Sequence, residues 1–176
     1  MNDSQPLKRL GYFIGQVLTA DELQLEQKYF IEKHKLHNRA LHGFGIVSGL
    51  KVTVGGGLII VAPGLAIDCD GNELVVDSEQ TIAPSGLDDQ RIAYLGIRYL
   101  EKCVDPVPAA SGGEAGSHIQ ESFELTLAPE NSNRGHRHSR GRWLPCAQLH
   151  ALTIAKLKAT AHGWRVDRRY RPPMMK

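Results

Sequence analysis

From Leu18 to Leu36 the apolar and aromatic positions fall into two rows of helical spacing: Leu23, Phe30 and His37 in one, Leu25, Tyr29 and Leu36 in the other. Thr19-Ala20-Asp21-Glu22 has the form of a capping box, in which the Thr19 hydroxyl accepts from the Glu22 amide and the Glu22 carboxylate reaches back to the Thr19 amide. Leu18 and Leu23 stand at the two positions of a hydrophobic staple. Asp21 and Glu22 lie in the first turn and Lys33, Lys35 and Arg39 toward the end, as the helix dipole prefers. These signals predict a helix over about residues 20–38. One row is expected to face the rest of the protein, and the other then needs a second partner.

After residue 42 the period changes from helical to alternating. Gly43, Gly45 and Gly49 punctuate the run to Leu50, Lys51-Val52-Thr53-Val54 alternates, Gly55-Gly56-Gly57 turns, and Leu58-Ile59-Ile60-Val61 returns. A second hairpin is predicted from Leu65-Ala66-Ile67-Asp68, through Asp70-Gly71-Asn72, to Glu73-Leu74-Val75-Val76. Further strands are expected at about residues 91–101, 121–127, 154–160 and 164–167. Residues 144–153 fit helix and strand equally. The fold class expected is therefore mainly β, a small sandwich or barrel of about six to nine strands, with one long N-terminal helix. The organisation read from the chain is an extended arm (1–18), the capped helix (19–42), a β domain (43–168) and a basic, proline-containing tail (169–176). Within the β domain, loops are expected at about 103–118 and 129–142, on Pro106 to Ser117 and on Pro129 to Arg142.

At 176 residues the chain is long enough to bury a sizeable core. Its 41% hydrophobic and 23% charged content is ordinary for a soluble globular domain. A net charge of +2 gives no overall electrostatic case for nucleic acid or a membrane surface. No apolar run approaches the roughly 20 residues of a membrane span, and the first residues lack a secretory pattern. Cys69, Cys103 and Cys146 are widely spaced and odd in number, so a reduced, cytoplasmic setting is expected.

Tyr12 to Glu22, Glu26-Gln27-Lys28-Tyr29, Asn38 to Leu50 and Pro63-Gly64-Leu65-Ala66-Ile67-Asp68 resemble the matching segments of a family of small bacterial proteins associated with phage-tail-like contractile injection particles. The part with Gly45-Ile46-Val47-Ser48-Gly49-Leu50 is also similar to attachment modules of phage baseplates and tail fibres, small β domains that dock appendages. Ser48 departs from the cysteine more usual there, which argues against thiol chemistry at that position. The resemblance implies a structural or adaptor subunit, not an enzyme and without a cofactor, at a baseplate, fibre-attachment or cap position. Its partners would be other subunits of a particle and further copies of itself. Assembly would take place in the cytoplasm before incorporation into a phage or phage-tail-like particle.

The contacts expected on this reading are Tyr12 and Phe13 ahead of the helix, Phe30, His34, His37 and Arg39 on it, Arg134, Arg137 and Arg140 in the arginine-rich loop, and Arg168, Arg169 and Arg171 in the tail. The tail is expected to lie extended on another subunit. Two rival readings come from other classes. A metal-binding enzyme would use His34, His37 and His42, with Glu26 or a distant residue, or else His136 and His138. Against these, the helix positions suit a polar surface, and the arginines around His136 repel a cation. A nucleic-acid-binding module would need the arginine-rich loop and the tail to form one face. Asp68 to Glu73 lacks the layout of an EF-hand loop and reads as a hairpin turn. Gly43, Gly45 and Gly49 miss the dinucleotide fingerprint, and no GxSxG motif occurs.

Overall fold

Helix α1 spans Ala20–His37 and begins as its capping box dictates: the Glu22 amide donates to Thr19 Oγ1 at 3.3 Å, and the Thr19 amide donates to Glu22 Oε2 at 3.0 Å. A single π-helical segment, Asn38–His42, prolongs it, closed by the Gly43 amide donating to Asn38 O at 2.9 Å. In the computed structural model, residues 7–87, 90–108, 112, 114–133, 146 and 150–175 are described. Among the described residues ten strands follow the helix: β1 Gly45–Gly49, β2 Val52–Gly55, β3 Leu58–Val61, β4 Gly64–Ile67, β5 Glu73–Val76, β6 Gln80–Ile82, β7 Ile92–Pro108, β8 Glu114–Ala128, β9 Leu152–Thr160 and β10 Gly163–Val166. They form three antiparallel sheets ordered β1-β4-β5, β2-β3-β6 and β10-β9-β7-β8. The protein is thus mainly β with one N-terminal helix, as expected. Its strands exceed the expected six to nine because short pieces such as β6 carry too little periodicity to be read.

Both predicted hairpins form. Gly55 pairs with Leu58, so the β2–β3 turn is the two residues Gly56 and Gly57, at φ +58° and +78°. Positive φ at both positions is the turn whose twist suits a hairpin. The β4–β5 hairpin turns through Asp68–Asn72 with Gly71 at φ +91°.

The inward faces of all three sheets supply one core. Ile59 and Val61 of β3, Leu74 and Val76 of β5, Ala93, Leu95 and Ile97 of β7, and Leu152, Ile154 and Leu157 of β9 are buried together. In β5 the alternation is strict, with Glu73 and Val75 outward and Leu74 and Val76 inward, as a half-buried strand requires. The β7–β9 register shifts between Leu95 and Gly96, leaving Ile154 as an extra residue in β9. Buried Thr153 follows the shift, and Asn133 satisfies its backbone both ways: Thr153 N donates to Asn133 Oδ1 at 3.1 Å and Asn133 Nδ2 donates to Thr153 O at 3.0 Å.

Two expectations fail. Pro106 to Ser117 is not a free-standing loop: β7 and β8 stay paired through Pro106↔Gly116 and Val107↔Ala115. Beyond Ile97 β7 has lost its β9 partner, so it is an edge there, where proline is tolerated despite its missing donor. Nor does the tail lie on another subunit along its whole length. The Ile46 amide donates to Pro173 O at 2.8 Å and the Met175 amide donates to Ile46 O at 2.9 Å, so the tail adds in parallel to the open edge of β1. Gly45 makes this approach possible, because a Cβ there would stand 2.8 Å from Pro173 O. The unpaired edge of β1 needed partners for its backbone groups, and the chain's own end supplies them.

Candidate docking surface

The β4–β5 turn is the seat of the helix. Asp68, buried, holds the turn by accepting from the Asp70 and Asn72 amides, each at 2.9 Å, and from Asn72 Nδ2 at 2.8 Å. That fixed turn presents Asp70 to the end of the helix. Lys35 Nζ meets Asp70 Oδ2 at 3.2 Å, and Arg39 Nη1 donates to Asp70 O at 2.6 Å. Asn38 Nδ2 donates to Gly71 O at 3.0 Å and to Glu73 Oε1 at 3.3 Å. Gly71 lies so close under the helix that a Cβ would come within 2.4 Å of Lys35 O. An open cavity of about 490 Å³ adjoins this junction, lined by Lys35, Asp70, Tyr99, Glu101 and His150 among others.

Away from this seat no residue of Ala20–His37 is fully buried: in one predicted row Leu23, Phe30 and His37 are exposed, and in the other Tyr29 and Leu36 are half-buried. Leu23, Phe30 and Ile31 remain 49%, 59% and 45% exposed. Ahead of the helix Tyr12, Phe13, Ile14, Val17 and Leu18 are exposed too. The arm is tied to α1 through the Leu10 amide, which donates to Glu26 Oε2 at 3.0 Å. The result is a series of exposed apolar side chains on an arm and helix clamped at one end, more than an isolated exposed leucine would be.

Of the contact residues expected from sequence, Tyr12, Phe13, Phe30, His34 and His37 are exposed on this arm and helix. Arg168, Arg169 and Arg171 are exposed near the tail's return to β1. Arg39 is buried, at 5% exposure, and serves the clamp, so it is unavailable to another subunit as it stands. Arg134, Arg137 and Arg140, with His136 and His138, lie outside the described residues. The His37 and His42 rings lie 5.3 Å apart, but His34, His37 and His42 do not converge as a metal-ligand set. Among the described residues the groups that converge are Cys69, Cys146 and His150, at the same β4–β5 turn. Sequence reasoning passed over Asn38, Asp70 and Gly71 as helix anchors. The available signal was Gly71 beside two acids in a turn, which marks a close backbone approach but not what approaches.

No family model matches the chain, and no curated protein matches it. Its fold, however, is shared with solved proteins of the type VI secretion baseplate, a contractile injection system. A chain of the TssK–TssF–TssG baseplate subcomplex, seen by cryo-electron microscopy, superposes with a TM-score of 0.60 at 14% identity, over 96% of this chain and 62% of that one. The crystal structure of TssK gives 0.58 at 15%, over 96% of this chain and 42% of TssK. TssK of the EAEC type VI secretion system, in complex with a nanobody, gives 0.53 at 15%, over 85% and 54%. This chain spans less than two thirds of each of these proteins. At such identities the likeness establishes a common fold, a TssK-like β body with its helix.

Proposed function

We propose that this protein is a structural subunit of a contractile-injection-type particle, phage-tail-like in kind and placed in its baseplate or an attached appendage. It is a docking component and not an enzyme. The observation that carries the reading is a capped helix, with an apolar arm before it, that buries no residue against its own body while its base is clamped to the β4–β5 turn. A helix with Leu23, Phe30 and Ile31 outward is incomplete as a globular element and complete as an interface. The fold shared with type VI baseplate structures supports the same reading.

The first partner is a second copy of the chain. An antiparallel pair of α1 helices would set their dipoles in the favourable sense and cover Leu23, Phe30 and Ile31 of each copy. Closed symmetry would then combine modest contacts into a stable assembly that other subunits of the particle join. Light scattering on the full chain and on a Leu23→Glu/Phe30→Glu variant tests this. The full chain is expected as a defined oligomer and the variant as a monomer that circular dichroism shows to be folded. A monomeric wild-type chain would end the self-assembly part of the reading.

A further inference from the structure

We infer that Cys69, Cys146 and His150 form a binding site for a zinc-class divalent cation, which ties the segment before β9 to the turn that seats the helix. Cys69 follows Asp68 in the β4–β5 turn, and His150 stands two residues before β9. Three residues from two distant parts of the sequence bring their ligand atoms within 4.8 Å of one another. Cys69 Sγ lies 3.1 Å from His150 Nε2. Around a tetrahedral zinc, with Zn–S about 2.3 Å and Zn–N about 2.0–2.1 Å, sulfur and nitrogen ligands sit roughly 3.5 Å apart. Movements of a few tenths of an ångström therefore suffice to close this pair on an ion.

The imidazole is already oriented for the task. His150 Nδ1 lies 3.2 Å from Ala151 O, and a carbonyl can only accept, so Nδ1 carries the proton and the lone pair of Nε2 is directed to the cysteine. A backbone carbonyl fixing the remote nitrogen is the usual support of a metal-bound histidine. Asp68 and Asp70 flank Cys69 in the turn, so a bound divalent ion would sit beside acidic groups as well as the thiolates. Loading replaces the two thiol protons, which pass to solvent. Two thiolates and one imidazole select zinc over calcium or magnesium, and leave a fourth position for a water or an added donor. His150 also lines the open cavity beside Asp70.

The site has a structural consequence that does not depend on the docking reading. Asp68 holds the turn from within, Asp70 and Gly71 hold the helix, and a metal at Cys69 would hold the chain entering β9. All three attachments then lie within the turn Asp68–Asn72.

The test is Co²⁺ titration of the reduced, chelator-stripped full chain, followed by its thiolate-to-metal charge-transfer absorption, with zinc displacement giving the zinc affinity. One equivalent of Co²⁺ should produce the band and zinc should abolish it. Cys146→Ser and His150→Ala should each weaken binding by more than about a hundredfold, since even outer-shell changes cost ten- to a hundredfold. Cys103→Ser, at an exposed cysteine outside the cluster, should bind as wild type. Circular dichroism of both ligand variants separates lost binding from lost folding, because His150 lies outside the strands. No charge-transfer band at one equivalent in the wild type, or unchanged affinity in folded His150→Ala and Cys146→Ser, overturns the site. So does recovery of Cys69 and Cys146 as a disulfide from the cytoplasmically expressed chain.

Discussion

Leu95 and Leu23 are the same side chain in opposite circumstances. Leu95, in β7, is completely buried among residues of all three sheets, whereas Leu23, one turn into α1, is 49% exposed. The β body is held by non-local packing, with strands from residues 45 to 166 closing over one core. The helix is held by local rules at its start and by a handful of polar contacts at its end. One region is stable because of what it encloses. The other keeps its shape with no residue fully buried, which leaves Leu23, Phe30 and Ile31 exposed.

Leu→Ala in the two regions gives the widest separation. Leu95→Ala should cost about 2–5 kcal/mol in urea denaturation, through lost burial and a residual cavity. Leu23→Ala, by contrast, compared at a dilution where both chains are monomeric, should stay within about 0.5 kcal/mol. Equal losses at the two sites would mean that α1 packs on the body after all.

Gly71→Ala attacks the joint between the regions. Its φ of +91° disfavours a side chain, and the new Cβ would press on Lys35 O. A loss of about 1–3 kcal/mol is expected, with faster amide exchange across α1 and little change in the core strands. Protection of α1 equal to wild type would show that the seat does not govern the helix.

Thr19→Ala removes the cap without touching the joint. It should cost about 1 kcal/mol of helix stability, seen as faster exchange in the first turns of α1, while the denaturation midpoint of the β body stays in place. A shift of that midpoint would mean that the two regions unfold together.

The smallest effect concerns the C-terminal side of the body. Asp167 meets Lys158 Nζ at 2.9 Å, accepts from the Arg169 amide, and lies 3.8 Å from Lys156 Nζ. The Lys158 hydrogen bond, then the Arg169 amide and the lysine charges, hold its carboxyl below the usual aspartate range. A depressed folded-state pKa contributes stability that is present above the unfolded value and lost as pH falls through the folded one. Wild type should therefore lose slightly more stability than Asp167→Asn on acidification below pH about 4. Identical acid profiles would mean that Lys158 and Lys156 do not stabilise the Asp167 carboxylate.

The helix and the paired hairpins were legible in the sequence because their signals are local. A capping box needs four consecutive residues, and the β2–β3 turn needs two glycines that tolerate positive φ. The long β7–β8 hairpin was obscured where Pro106 to Ser117 has loop composition, because an edge strand accepts residues that an interior strand rejects. Arg39, chosen from sequence as an outward contact, turned inward because Asp70 stands beneath it, a partner that helix periodicity cannot reveal.

By itself, then, the sequence determined where the helix starts, which residues turn the hairpins and which strand faces are apolar, all consequences of near-neighbour geometry. Only the tertiary structure decided that no residue of the helix would be fully buried, that the tail would complete β1, and that Cys69 would meet Cys146 and His150. Those outcomes depend on contacts between residues dozens of positions apart. Their partners are set by how three sheets close on one core, and no local pattern encodes that closure.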